Sequence, residues 1–157
     1  MATRQIRLAG DPILGKKCKE VKMMTPMLKM LVEDMLDTMY EANGVGLAAP
    51  QVGILRRIIV IDVGDGPHVL INPVIVQQDG EQTGDEGCLS LPGKAGKVIR
   101  PNHVIVHAFD ENMAEYDLEG EELLARAICH ECDHLEGHMY MERVIGEIHD
   151  VEYDDEE

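Results

Sequence analysis

Apolar positions recur at helical spacing early in the chain, where Leu28, Leu31, Val32, Met35 and Met39 form one stripe. Thr25 suits the N-cap of that stripe, Pro26 its first helical position, and Asn43-Gly44 its stop. Ten methionines are compatible with a peptide-binding surface, but their spacing in this helix predicts core positions. The period then changes. Strands are predicted at Arg57–Val63, Val69–Ile71, Val74–Gln77 and Val98–Phe109, the last broken near Pro101. Asp110-Glu111-Asn112 turns the chain into a further strand at Ala114–Leu118. Helical spacing returns over Gly120–Glu136, with Glu121 and Glu122 in the first turn and Gly137 at the stop. No repeat or linker divides the chain. The order predicts a single α+β domain in which antiparallel β-sheets surround the C-terminal helix and the N-terminal helix packs outside.

The second helix carries the chemistry. Its segment His130-Glu131-Cys132-Asp133-His134 places two imidazoles within about 40° of each other on one face. Both histidines and Glu131 fall on the apolar arc with Leu123, Leu124, Ala127, Ile128 and Leu135. Glu136, Cys129, Glu122, Asp133 and Arg126 fall opposite. A solvated charged helix would reverse that arrangement, and buried polar groups need partners. Two such imidazoles can share a metal ion, with the intervening glutamate managing a proton of water beside it. Cys129 and Cys132 also make a C-x-x-C, which can be a redox dithiol or half a zinc site. Cys132, however, lies about 160–200° around the helix from the histidines, so both are expected to be ordinary thiols. Cys18 has no companion motif.

Cys88, in the glycine-flanked stretch Gly84–Gly93, is the candidate third donor, with a buried free thiol as the plain alternative. A thiolate and two imidazoles leave one tetrahedral position open, the catalytic pattern, whereas structural sites are closed by four ligands. Gly44-Val45-Gly46-Leu47-Ala48-Ala49-Pro50-Gln51 is either a plain loop or a backbone against which a substrate strand can pair. It is not a phosphate loop, because no Gly-Lys-Ser/Thr follows. Arg126 and Lys94 are expected as solvated charges.

Three segments together, Gly44–Gln51, Glu86-Gly87-Cys88-Leu89-Ser90 and His130–His134, resemble the three motifs of bacterial peptide deformylases in order and spacing. The resemblance runs from Ile6-Arg7 to about Ile145. It implies a hydrolase that removes the formyl group from the N-terminal formyl-methionine of newly made proteins and releases formate. It further implies that Cys88, His130 and His134 bind one divalent metal, that metal-held water attacks the formyl carbon, and that Glu131 is the general acid/base. Gln51 and the backbone N–H of Leu89 would stabilise the oxyanion, and Val45, Gly46 and Gly87 would line the substrate. Glu86 and Arg100 would form a supporting ion pair; Asp133, from its place beside His130 on the helical wheel, is a candidate partner behind the histidines. The resemblance points to ferrous iron in the cell, with zinc, nickel or cobalt possible in purified protein. Cys132 departs from the larger apolar residue common in the family, Ala95 stands where some members carry an arginine near the substrate, and Gly84 where some have a bulky apolar residue.

Two rivals remain at this point. One is a zincin-type peptidase, whose third ligand would follow the motif, although the downstream candidates His138 and His149 lack the usual surroundings. The other is a non-catalytic metal-binding or ribosome-associated protein, against which intact Glu131, Gln51 and Cys88 argue.

Composition narrows the setting. The chain has 157 residues, 45% of them apolar, without a run of membrane length. Its N-terminus shows no signal-peptide core, and four cysteines do not form a secreted disulfide framework. A cytoplasmic location is expected. Thirty acidic against fourteen basic residues give −16, which disfavours independent nucleic-acid binding; transient ribosome contact stays compatible. Residues 1–147 are expected to form the catalytic domain and 148–157 a disordered acidic tail.

Overall fold

A computed structural model describes residues 2–151. Thr25 caps α1 (Pro26–Glu41) as its sequence predicts, its hydroxyl accepting from the Leu28 amide at 3.1 Å. The chain continues through β1 (Gly46–Ala48), a 3-10 turn (Ala49–Val52), β2 (Ile58–Ile61) and β3 (His68–Asp79). Then follow β4 (Gln82–Cys88), β5 (Leu91–Arg100), β6 (His103–Phe109), β7 (Glu115–Glu121), α2 (Leu123–Leu135) and β8 (Ile145–Asp150). The strands make two antiparallel sheets, one in the order β1-β2-β3-β6-β7 and one in the order β4-β5-β8. The α+β class is as expected.

Strand alternation divides the larger sheet between the helices. Ile59, Ile61, Leu70, Val104, Val106 and Ala108 pack on one face with Ala125, Ile128 and Leu135 of α2. Ile58, Val60, Val69 and Ile71 pack on the other with Leu31, Val32, Met35 and Met39 of α1. This sheet is therefore buried on both sides near its middle, and α2 is held rigidly beneath the first and second sequence motifs. Among the described residues no helix is long and apolar enough to cross a membrane.

Several boundaries differ from expectation. The two segments Val69–Ile71 and Val74–Gln77 are one strand, β3, whose register shifts between Ile71 and Val74. Asn72 sits there at φ 53, and its side-chain amide exchanges hydrogen bonds with both backbone groups of Val21. Pro101 separates β5 from β6, which belong to different sheets. The α2 helix starts later than Gly120, because pairing of β6 with β7 continues through Val104↔Gly120 and His103↔Glu121. Glu121 is thus in a strand and Glu122 precedes the helix at φ 55. β1 and β8 were not predicted, and the 84–93 stretch, suited to a turn or short strand, holds most of β4 and the start of β5; β4 is rich in polar residues and glycine, and all of β8 is exposed. Residues 148–150, expected in a disordered tail, belong to β8, where His149 pairs with Ala95 and Asp150 with Lys94. Residues 152–157 of that expected tail lie outside the described residues.

The methionine expectation also divides. Met35 and Met39 are fully buried, whereas Met27 and Met30 of the same helix are 81% and 60% exposed. Met35→Ala is expected to lower stability by about 2–5 kcal/mol, while Met27→Ala stays within about 0.5 kcal/mol. Urea unfolding midpoints of the two variants check this contrast.

Candidate metal centre

Cys88 ends β4, and the two histidines lie on successive turns of α2. Their donor atoms all fall within 4.8 Å of one another, and no fourth His, Cys, Asp or Glu donor joins the cluster among the described residues. Cys88 Sγ is 3.4 Å from His134 Nε2, and the two rings have centroids 5.1 Å apart. One thiol and two imidazoles within this reach can hold a divalent ion and leave a coordination position for solvent. Cys129 and Cys132 stay outside the cluster as free thiols. Burial pushes them up to about 11 and about 12, so both remain protonated and inert near neutral pH. The zincin alternative loses its donors too: exposed His138 pairs with Glu142 and exposed His149 with Asp85.

Glu131 is buried beside this cluster, and its Oε1 has no hydrogen-bond partner. Burial pushes its carboxyl up to about 7, a value suited to both taking and returning a proton near neutrality. The space it occupies exists because residue 46 is glycine: a Cβ there would lie 2.5 Å from Glu131 Oε2. Gly44 plays the same part for Leu89, whose Cδ1 would be 2.8 Å from an added Cβ. The glycines of the first motif thus seat one residue from each of the other two.

Gln51 is 1% exposed. Its Oε1 accepts from the Ala48 amide at 2.9 Å, which turns Nε2 toward Ser90 Oγ at 3.0 Å and Cys88 Sγ at 3.4 Å. Val45 is exposed and leads into β1, an edge strand bonded on one side to β2. Gly87 lies near the end of β4, the edge of the smaller sheet. Each of the two sheets thus contributes an edge strand to this region.

Behind the histidines, Glu86 and Arg100 form the expected ion pair, with Arg100 Nε and Nη2 at 2.8 and 2.9 Å from the two carboxylate oxygens. Glu86 Oε1 also holds His130 Nδ1 at 2.9 Å. Asp133 reaches Arg100 Nη1 at 2.8 Å instead of touching a histidine. Arg126 corrects the expectation of a solvated charge: it is 7% exposed, and its Nη1 donates to Glu86 Oε2 at 2.7 Å. The helical wheel assigned one buried face to α2, but the smaller sheet covers part of the opposite face as well. Lys94, by contrast, is partly exposed and pairs with Asp150. Tyr140, which the sequence reading did not single out, stacks on His130 with centroids 6.0 Å apart. Only its place after the second helix could have marked it.

Burial disfavours charge on both histidines. In His130 the neighbouring Glu131, Cys88 and Glu86 outweigh that and raise it well above its ordinary value. Burial together with its neighbour His130 drives His134 down to about 3. A cation entering this cluster competes with the His130 proton, so its binding weakens as pH falls.

The polypeptide deformylase family matches residues 3–148. The chain belongs to that family. Peptide deformylase of Agathobacter rectalis is 67% identical over 99% of this chain and 98% of its own length. That of Lachnoclostridium phytofermentans is 61% identical over 100% and 99%. Among solved structures, the Thermotoga maritima peptide deformylase superposes with a TM-score of 0.90 at 39% identity, covering 93% of this chain and 100% of that one. The Synechococcus elongatus peptide deformylase, solved in complex with actinonin, gives 0.87 at 44% identity, covering 90% and 78%. The chain is thus an enzyme of the deformylase family.

Two outcomes follow for this deformylase-family enzyme. Gly46→Ala displaces Glu131 and is expected to cut deformylase activity about 100-fold, with far-ultraviolet circular dichroism unchanged. Glu86 supplies the second. Burial alone would raise its pKa, but Arg100 and His130 hold it near 2, below the ordinary 4.5. Its stabilisation is therefore complete above about 4.5 and lost as pH falls toward about 2. Acid titration of the metal-free protein is expected to be steeper across that window for the parent than for Glu86→Gln.

Proposed function

We propose that this enzyme removes the N-formyl group from the N-terminal formyl-methionine of newly synthesised proteins, releasing formate and a free amino terminus. The observation that carries the reading is the convergence of Cys88, His130 and His134 beside a buried, raised carboxyl at Glu131. Family membership over residues 3–148 supplies the substrate class.

Cys88, His130 and His134 would hold one divalent ion, ferrous iron in the cell, with zinc, nickel or cobalt in purified protein. When bound, such an ion supplies Lewis acidity and lowers the pKa of a coordinated water. Glu131 takes a proton at its carboxylate and passes it to the amine nitrogen that leaves. Gln51 Nε2, pre-aimed by the Ala48 amide and Ser90, donates to the oxygen that gains charge at the formyl carbon, with the Leu89 amide as second donor. Loss of one such donor typically costs about 2.7–4 kcal/mol of barrier lowering. A substrate backbone would add to the β1 edge at Val45 and Gly46 and lie against Gly87.

The catalytic unit in this reading includes β8 and so runs to residue 150, past the boundary at 147 expected from the sequence. Nascent chains as substrates place the reaction in the cytoplasm near the ribosome, while a net charge of −16 opposes independent binding to nucleic acid.

Metal-loaded protein is expected to release formate from formyl-methionyl peptides and to leave internal peptide bonds intact; the reverse would support a peptidase. Glu131→Gln should retain the metal and lose turnover, and substantial residual activity would remove Glu131 from the mechanism. Cys88→Ser should weaken metal retention, and undiminished occupancy by elemental analysis would reject it as a ligand.

A further inference from the structure

Glu86 accepts from four N–H groups at once, and they divide between its two oxygens. Oε1 takes Arg100 Nη2 at 2.9 Å and His130 Nδ1 at 2.9 Å, while Oε2 takes Arg100 Nε at 2.8 Å and Arg126 Nη1 at 2.7 Å. Arg126 and His130 are one helical turn apart on α2, so a single carboxylate from β4 spans that turn. Glu86 also lies two residues before Cys88 on the same strand. The carboxylate therefore links the element that carries the thiol to the element that carries both rings.

Arg126 is anchored for this. Its Nη1 also meets the Gly84 and Val98 carbonyls at 3.2 Å, and its Nε meets Gln82 Oε1 at 3.3 Å. Its Nη2 is buried without a hydrogen-bond partner. Residue 84 is glycine, and a Cβ there would lie 3.3 Å from Nη2, so a bulkier side chain would crowd the guanidinium. Arg100 already neutralises Glu86 through a two-point fork and is shared with Asp133. Asp133 has a second cation in Arg143, at 2.7 Å, so Arg126 is not needed to balance the two carboxylates. It does fix the carboxylate plane from the helix side.

We propose that Arg126 is a positioning residue of the metal centre, acting through Glu86 to set the ring plane of His130 and the separation of β4 from α2. The proposal rests on the metal reading given above. Without the Arg126 contact, Glu86 is tied to α2 through His130 alone, and the acceptor of the His130 Nδ1–H is less firmly fixed. Loss of such an outer partner typically costs about 10–100-fold in metal affinity or activity.

The test compares Arg126→Met and Arg126→Lys with the parent, using Zn2+ affinity by chelator competition, the visible spectrum of the Co2+-loaded protein, and kcat and KM. Arg126→Met is expected to weaken Zn2+ binding about 10–100-fold, shift the Co2+ bands and lower kcat with KM unchanged. Arg126→Lys, which keeps the charge without the fork, should recover part of each loss. In a Glu86→Gln background, Arg126→Met should add little. Parental Zn2+ affinity and Co2+ bands in Arg126→Met would overturn the proposal. So would an undiminished effect in the Glu86→Gln background, or a change confined to KM, which would mean substrate contact. If Arg126→Met does not fold, Arg126→Lys decides the matter: weakened Zn2+ binding supports the role, and parental binding overturns it. Failure of formate release with intact Zn2+ readouts would count against the functional reading alone.

Discussion

A thiol at the end of a strand and two rings on a helix must be held within a few ångströms of one another before any ion arrives. The Glu86 carboxylate supplies that constraint. It is 5% exposed, and every partner it has is itself buried: Arg100, Arg126 and His130. Removing two cations and an anion from water is costly unless geometry and hydrogen bonding are nearly complete. Here Glu86 is saturated with donors, and the cost is offset by contacts that also join β4, β5 and α2. Stability and site geometry thus depend on the same group of atoms.

The rest of the fold is arranged around that fixed point. α2 is clamped between the larger sheet, through Ile128 and Leu135, and the ion pairs beneath the smaller one. β1 and β4 are the outermost strands of their sheets, and both end near the cluster. The glycines at 44 and 46 permit close approach, leaving room for Leu89 and Glu131. Both carboxyls are buried, and their partners set them apart: Glu131, with an unpartnered Oε1, is raised, and Glu86, surrounded by donors, is lowered. Two glutamates within one site acquire opposite behaviour from their surroundings alone.

Local chemistry was legible in the sequence to the extent that it follows from spacing. The histidine pair, Glu131 and the capped first helix could be read because helical geometry fixes which residues share a face. Cys88 could be named as a candidate third donor because the other cysteines were set aside, whereas Gln51 and the Glu86–Arg100 pair required the family resemblance, since no periodicity links residues so far apart. Arg126 was misread because a wheel assigns a helix one buried side, whereas α2 is covered on several. β8 escaped, and β4 was legible only as a turn or short strand, because their pairing relies on backbone bonds, with little apolar alternation to signal them. Asn72 and Pro73 looked like a break between two strands, but the strand continues through a register shift there, with the Asn72 side-chain amide bonded to the backbone of Val21.

In the proposed site one sulfur and two ring nitrogens surround a single ion whose remaining position belongs to solvent. X-ray absorption at the zinc edge of the zinc-loaded protein measures that donor set directly. The expected spectrum has one sulfur at about 2.3 Å and two imidazole nitrogens with one further light donor at about 2.0–2.1 Å. Two sulfurs, or none, would contradict it.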